Sequence, residues 1–267
     1  MRICIMRVAG TNRDYDVYEV LTYLGASPDV VHMNEFTRGR KKLSDYDAFI
    51  FPGGFSYGDR IRSGAIWAKQ LIYKLSADFR KIAEEGTPIL GICNGMQVLV
   101  EAGLIPGLNG ISEYPEAAMA VNASSKFECR WVYLKNYSRG NCLFTREIPR
   151  NTVIRTPVAH GEGRFLLPKE KEKAILRKLE RNDQIVFRYC DEKGNPAKGK
   201  YPLNPNGSFS DIAGVCNPQG NVLAFMPHAE DACFFWQHPD WTRRKLKFET
   251  DGILLFKNLV SFLKHKK

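Results

Sequence analysis

The sequence is missing the features that mark membrane, secreted and nucleotide-binding proteins. No apolar run approaches the roughly 20 residues needed to cross a bilayer. The opening MRICIMRVAG has no apolar stretch followed by a small-residue cleavage site, so no signal peptide is expected and the expected location is the cytoplasm. The seven cysteines (Cys4, Cys93, Cys129, Cys142, Cys190, Cys216 and Cys233) are odd in number and form no CxxC pair, which argues against a zinc site or a disulfide framework. No P-loop is present. There is no zinc finger or aromatic-interleaved ribonucleoprotein motif, so no nucleic acid partner is expected. Histidine is scarce, with five in the chain, and neither repeats nor low-complexity tracts occur.

What is present is an ordinary globular composition: 267 residues, 44% hydrophobic and 25% charged. That length buries a substantial core without disulfides or metals and suits a single domain over residues 1–267. The net charge is +10, and from Trp241 to Lys267 eight Lys or Arg face only Glu249 and Asp251. Such a segment is a solvated helical tail, or a surface for RNA or an acidic protein.

Short apolar runs alternate with helical patterns in the first half, the signature of βα units in a parallel sheet. Strands are predicted at 2–8, 29–33, 47–51 and 88–92. Helices are predicted at 14–24, 58–85 and 95–102. The middle is richer in β-type residues and predicts a small antiparallel ribbon, 118–121 with 127–134. A charged helix at 169–181, a strand at 185–189 and an exposed loop at 191–207 follow. Pro218-Gln219-Gly220 reads as a hairpin turn between strands 211–217 and 221–225, and a last helix covers 252–264. The expected fold is α/β, with a mostly parallel doubly wound sheet and helices on both faces.

Gly91-Ile92-Cys93-Asn94-Gly95 lies where a buried strand turns into a helix. A nucleophile at such a corner is pushed out at the carboxyl edge of the sheet, as in the nucleophile elbow of hydrolases. Free N–H groups at a helix start favour a thiolate there, and the N–H of Asn94 can face an oxyanion. A buried structural cysteine before a tight turn has the same pattern. Pro52-Gly53-Gly54 ends the preceding strand, where Gly54 or Phe55 could give a second N–H; it also reads as a plain strand-ending turn. A thiol attacking an amide needs a base. Of the five histidines, only His228 sits in a loop after a strand with a carboxylate, Glu230, two residues on. That spacing lets Glu230 hold the imidazole tautomer, as the third member of a triad does.

Gly-Ile-Cys-Asn-Gly followed by His-x-Glu near the C-terminus resembles the class I (triad) glutamine amidotransferases. Gly53-Gly54-Phe55-Ser56-Tyr57-Gly58-Asp59, the stretch around His160-Gly161-Glu162-Gly163-Arg164 and Asn204-Pro205-Asn206-Gly207-Ser208 narrow this further. They are similar to the glutaminase-subunit family of phosphoribosylformylglycinamidine synthases, of purine biosynthesis. The resemblance spans nearly the whole chain and implies the class I glutamine amidotransferase fold. It implies that Cys93 attacks the amide of L-glutamine, that His228 protonates the leaving ammonia and that Glu230 orients His228. It further implies oxyanion N–H groups from Gly54 and Asn94, a γ-glutamyl thioester and its hydrolysis by water. The implied partners are an ATP-dependent synthetase subunit, which takes the ammonia, and a small bridging subunit. ATP and Mg would bind the synthetase, and this chain would hold no cofactor or metal. The usual His-Pro-Glu-Arg of that family reads His228-Ala229-Glu230-Asp231 here.

Phe55, Gln97, His160 and Gly161 are the candidate substrate contacts. Gln97 could instead brace the elbow, and the glycines beside His160 could merely make a turn. Arg62 and the run 56–59 could face the synthetase, with Asp59 also a candidate helix cap. Asn12 is a candidate for the mouth of the site. Two other readings stay open: a redox or stress-type protein with an exposed cysteine on the same sheet, and a triad amidotransferase of another biosynthetic pathway.

Overall fold

The computed structural model describes residues 1–266. The first part of the chain is β1 (Arg2–Arg7), α1 (Asp14–Tyr23), β2 (Ser27–His32), α2 (Met33–Thr37), β3 (Ala48–Phe51), α3 (Ala65–Glu84), β4 (Ile89–Ile92) and α4 (Asn94–Glu101). It continues as β5 (Ala118–Ala120), β6 (Glu128–Asn136), β7 (Val153–His160), β8 (Arg164–Leu166), α5 (Glu172–Arg181) and β9 (Ile185–Cys190). β10 (Ile212–Cys216), β11 (Val222–Phe225) and α6 (Ile253–His265) complete it.

Nine strands form one sheet in the order β2-β1-β3-β4-β11-β10-β9-β6-β7. From β2 to β11 all neighbours are parallel, and from β11 onward all are antiparallel. β3, β4 and β11 are buried at every position, as strands covered on both faces must be. The connection from β1 to β2, through α1, runs one way along the sheet, and the connection from β3 to β4, through α3, runs the other. Right-handed crossovers in opposite directions put α1 and α3 on opposite faces. α1 packs beside α6, and α3 beside α4. The expected doubly wound α/β sheet with helices on both faces is therefore present.

The antiparallel part differs from the expected ribbon. Segments 118–120 and 128–136 do not pair with each other. β5 pairs with β8 in a separate two-stranded sheet, and β6 lies in the main sheet between β9 and β7. β7 alternates partly and fully buried residues and forms the edge of the sheet. It is four places from β11, yet the Pro157 carbonyl accepts a hydrogen bond from His228 N–H just beyond β11, at 2.8 Å. The antiparallel half thus curls back over the carboxyl edge.

The helix expected from Gly58 begins only at Ala65. Tyr57, Gly58, Asp59, Ile61 and Gly64 all have positive φ, so no helix can propagate through them. Asp59 consequently caps no helix, and the residue preceding α3 is Gly64.

Candidate active site

The site is assembled from the loops after β1, β3, β4 and β11. Carboxyl ends of parallel strands, near the point where strand order reverses, are where open α/β sheets bind ligands. Cys93 follows β4 directly with φ 49° and ψ −104°. This strained conformation for a non-glycine residue turns strand into helix within one residue. Two close approaches fix the corner. A Cβ on Gly95 would lie 1.9 Å from the Phe51 carbonyl oxygen, and one on Gly91 would lie 2.7 Å from Gly95 backbone. Cys93 N–H donates to the Phe225 carbonyl at 2.8 Å, which ties the nucleophile's strand to the strand that delivers His228.

His228 is buried, and its Nδ1 pairs with Glu230 Oε1 at 2.6 Å. Glu230 is buried too, and its Oε2 has no partner among the described residues. Burial alone would push the imidazole down. The Glu230 carboxylate and Cys93, the latter by charge and by a side-chain hydrogen bond, push harder the other way and raise it to about 10. The ring is therefore cationic at neutral pH, facing the sulfur on one side and a carboxylate on the other. Gly53 lies against the ring, and a Cβ there would come within 2.7 Å of His228 Cε1.

Cys93 and His228 open into one cavity of about 360 Å³. Asn12, Arg13, Gly54 and Phe55 form one wall, and Phe127, Cys129 and the β7 residues Pro157 to Ala159 form the other. Gly54 lines the cavity and Asn94 directly follows Cys93, and the backbone donor of each is unspent. The N–H groups of Gly54 and Asn94 have no protein acceptor among the described residues. For Asn94 this follows from its place in the first helical turn. Phe55 N–H, the alternative to Gly54, is already donated to the Gly10 carbonyl at 2.9 Å.

Gln97, His160 and Gly161 are not among the residues that line the cavity. Gln97 accepts from Asn94 Nδ2 at 2.8 Å and donates to the Glu162 carbonyl at 2.8 Å, so both ends of its amide are used in bracing the elbow. His160 is buried, with Nδ1 at 3.1 Å from Asn122 Oδ1 and Nε2 at 3.4 Å from Asn206 Nδ2. A neutral ring protonated on Nδ1 satisfies both partners. Burial holds it neutral, down at about 4. The Gly161 carbonyl accepts from Asn122 N–H at 2.9 Å. The Asn204–Ser208 motif is the other half of this brace: Ser208 Oγ donates to the Gly163 carbonyl at 3.3 Å. Of the proposed substrate contacts, only Phe55 lines the cavity.

Arg13 is a wall residue that the sequence reading did not single out. Arg13 forms an ion pair with Asp231, lies 3.4 Å from Asp16 and places Nε 3.9 Å from Glu230 Oε1. Its Cγ would be 3.3 Å from a Cβ on Gly53, on whose other side lies the His228 ring. Asp231 is thus the anchor of a cation that neighbours the triad carboxylate. The exchange of the family's usual Arg for Asp231 was the available signal, since a carboxylate added beside Glu230 needs a cation.

Among the described residues, one group gathers metal-type ligand atoms within 4.8 Å, namely His228, Glu230 and Asp231. His228 Nδ1 and Glu230 Oε1 are already engaged with each other, and Asp231 with Arg13. Burial pushes the thiols of Cys4, Cys190 and Cys233 up, and a hydrogen bond with Cys142 followed by burial does so for Cys216. Those four are held as unreactive thiols.

Residues 1–263 match the CobB/CobQ-like glutamine amidotransferase domain. The chain is similar to phosphoribosylformylglycinamidine synthase subunit PurQ of Archaeoglobus fulgidus, with 41% identity covering 98% of this chain and 97% of that one. It is similar to the PurQ subunit of Aquifex aeolicus, with 38% identity covering 98% and 100%. A solved structure of PurLQS from Thermotoga maritima contains a chain of 32% identity and TM-score 0.72, with 98% of both chains covered. A putative GMP synthase subunit of Thermoplasma acidophilum, at 14% identity and TM-score 0.55, shares the fold. With a match that extends across nearly all of its length, the chain belongs to the CobB/CobQ-like glutamine amidotransferase domain family.

Proposed function

We propose that this chain is the glutaminase subunit of a phosphoribosylformylglycinamidine synthase, working as one glutamine amidotransferase domain in the cytoplasm. The observation that carries the chemistry is the buried imidazole between a cysteine at a strand-to-helix corner and a carboxylate at 2.6 Å. The pathway is supported by the full-length similarity to subunits of that name and to a chain of a three-subunit assembly.

In this reading L-glutamine enters the cavity with its side-chain amide over Cys93. The sulfur adds to the amide carbon, and the N–H groups of Gly54 and Asn94 take the negative charge on oxygen. The imidazolium of His228 gives its proton to the leaving nitrogen, and ammonia departs. Glu230 stabilises the cationic ring and holds the tautomer. Water then cleaves the γ-glutamyl thioester, giving a proton to the now neutral His228, so that the sulfur anion and the imidazolium are restored and glutamate is released. The ammonia passes to an ATP-dependent synthetase subunit, assembled with a small bridging subunit. This chain contributes no cofactor, and ATP with Mg binds the synthetase.

The test is Cys93→Ala in the assembled enzyme. It should remove amidation driven by glutamine and spare amidation driven by free ammonium; persistence of the glutamine reaction would show that the nucleophile is misassigned. Labelling by a glutamine-mimicking chloroketone should be confined to Cys93 and suppressed by excess glutamine. Lack of protection by glutamine would favour the redox reading, and a purified complex without a purine synthetase would favour another pathway.

A further inference from the structure

Beyond Phe55 the glycine-rich loop leaves the cavity and serves no catalytic purpose described above. It runs through three residues of positive φ, Tyr57, Gly58 and Asp59, to Ile61, which is 89% exposed at φ 74°. A β-branched residue held in that conformation with its side chain in water is doubly unfavourable in the free chain. Facing it from α3 is Tyr73, 84% exposed. Between them lies an open groove of about 430 Å³ whose floor includes Ala65 and Ile66. Arg62, Lys69 and Lys74 rim the groove. Its one carboxylate, Glu101, is nearly buried and already pairs with Arg62 at 2.6 Å and Lys69 at 3.5 Å. The groove is therefore apolar inside and cationic around.

A second copy of this chain does not fit that description, since it carries a net charge of +10 and would bring cations to a cationic rim. The position of the groove is informative too. The loop forming its rim begins at the mouth of the active site, where Phe55 and Phe127, both about half exposed, stand with ring centroids 6.3 Å apart. It then rests on the nucleophile's helix. A Cβ on Gly64 would lie 2.9 Å from Gln97 Cβ, Ser63 N–H donates to Glu162 at 3.1 Å, and Arg62 binds Glu101 at the end of α4. A protein that accepts ammonia from Cys93 must seat beside that mouth, because ammonia released to bulk solvent is lost.

We infer that this groove is where the synthetase subunit docks, through a segment that presents an apolar side chain flanked by carboxylates. The inference rests on the glutaminase-subunit reading. Exposed apolar surface with a charged rim is the general composition of such contacts, and a few central apolar residues carry most of their binding energy.

The experiment is binding of the full chain to purified synthetase and bridging subunits, followed by sedimentation velocity and calorimetry. Tyr73→Glu should weaken assembly at least about tenfold, with the thermal melt and the glutamine hydrolysis of the free chain unchanged. Lys74→Glu should weaken assembly and reduce its sensitivity to salt. Trp236→Ser, at another exposed aromatic away from the groove, should assemble like wild type. Wild-type affinity for both groove variants overturns the inference, as does disruption by Trp236→Ser alone. If wild type hydrolyses glutamine but binds no such synthetase, the pathway reading fails and the inference with it.

Discussion

A buried imidazole that keeps its proton up to about pH 10 sets the direction of the pH response. The folded value lies above the ordinary value of 6.5. The stabilisation it provides is therefore fully present below about pH 6.5 and is lost as pH rises through about 10. The same deprotonation removes the proton meant for the leaving ammonia, so the alkaline limb of kcat/KM for glutamine should fall in that region. Glu230→Gln removes the main group that raises the ring, leaves burial less opposed, and should move the limb down by roughly one to three pH units. An unmoved limb would assign it to a different group. Arg13 is a positioning residue for this pair, holding Asp231 and neighbouring Glu230 from the opposite wall. If Arg13 and Asp231 act as a unit, Arg13→Ala and Asp231→Ala should each lower kcat, and the double variant should do little worse than Arg13→Ala. That corresponds to a coupling of about 1 kcal/mol, about fivefold in rate. Additive losses in the double-mutant cycle would show two independent contacts.

At the scale of elements, two glycines near the elbow should fail in different ways. A Cβ on Gly95 would meet the Phe51 carbonyl at 1.9 Å, backbone against backbone, so Gly95→Ala must part α4 from β3. Overpacking of this kind costs about 1–3 kcal/mol, and the denaturation midpoint should fall with the slope unchanged. A Cβ on Gly53 would meet the edge of the His228 ring. Gly53→Ala should therefore displace the ring and lose activity while keeping most of the stability; the reverse ranking in a melt would contradict these contacts. The elbow and the paired strands around it were legible because each is local. β4 is a continuous apolar run closed by glycine, and the β10–β11 hairpin is announced by Pro218-Gln219-Gly220. The pairing of β5 with β8 was not legible, because more than forty residues separate them and no turn announces the match. Ile61 stands at helical spacing from Ala65 and Ala68, which extended the helical pattern back into 58–64, but spacing carries no information on the sign of φ. Periodicity placed Gln97 on the helix beside the thiol, yet it could not tell that both ends of its amide were already bonded. The partners of the His160 ring were hidden for the same reason, Asn122 and Asn206 lying 38 and 46 residues away.

For the molecule as a whole, the dominant long-range property is its charge. A net +10 spread over the surface, with a dense cationic C-terminal segment, makes a field that reaches about 10 Å at 0.1 M salt. Such a field speeds encounter with an oppositely charged surface and repels copies of itself. The chemistry at Cys93 is insulated from it, because His228 and Glu230 are buried and buried pairs are screened much less by salt. The two processes should therefore separate on a salt axis. Raising ionic strength from about 0.02 to about 0.5 M should reduce the association rate with the synthetase by an order of magnitude or more, and leave the dissociation rate and the free chain's turnover of glutamine nearly constant. Stopped-flow association beside a glutaminase assay at the same salt concentrations measures both. A flat association rate would mean that docking is governed by apolar contact alone and that the excess charge serves another purpose. A parallel fall in turnover would mean that the site is wetter, and its ion pair more screened, than the burial of His228 and Glu230 requires.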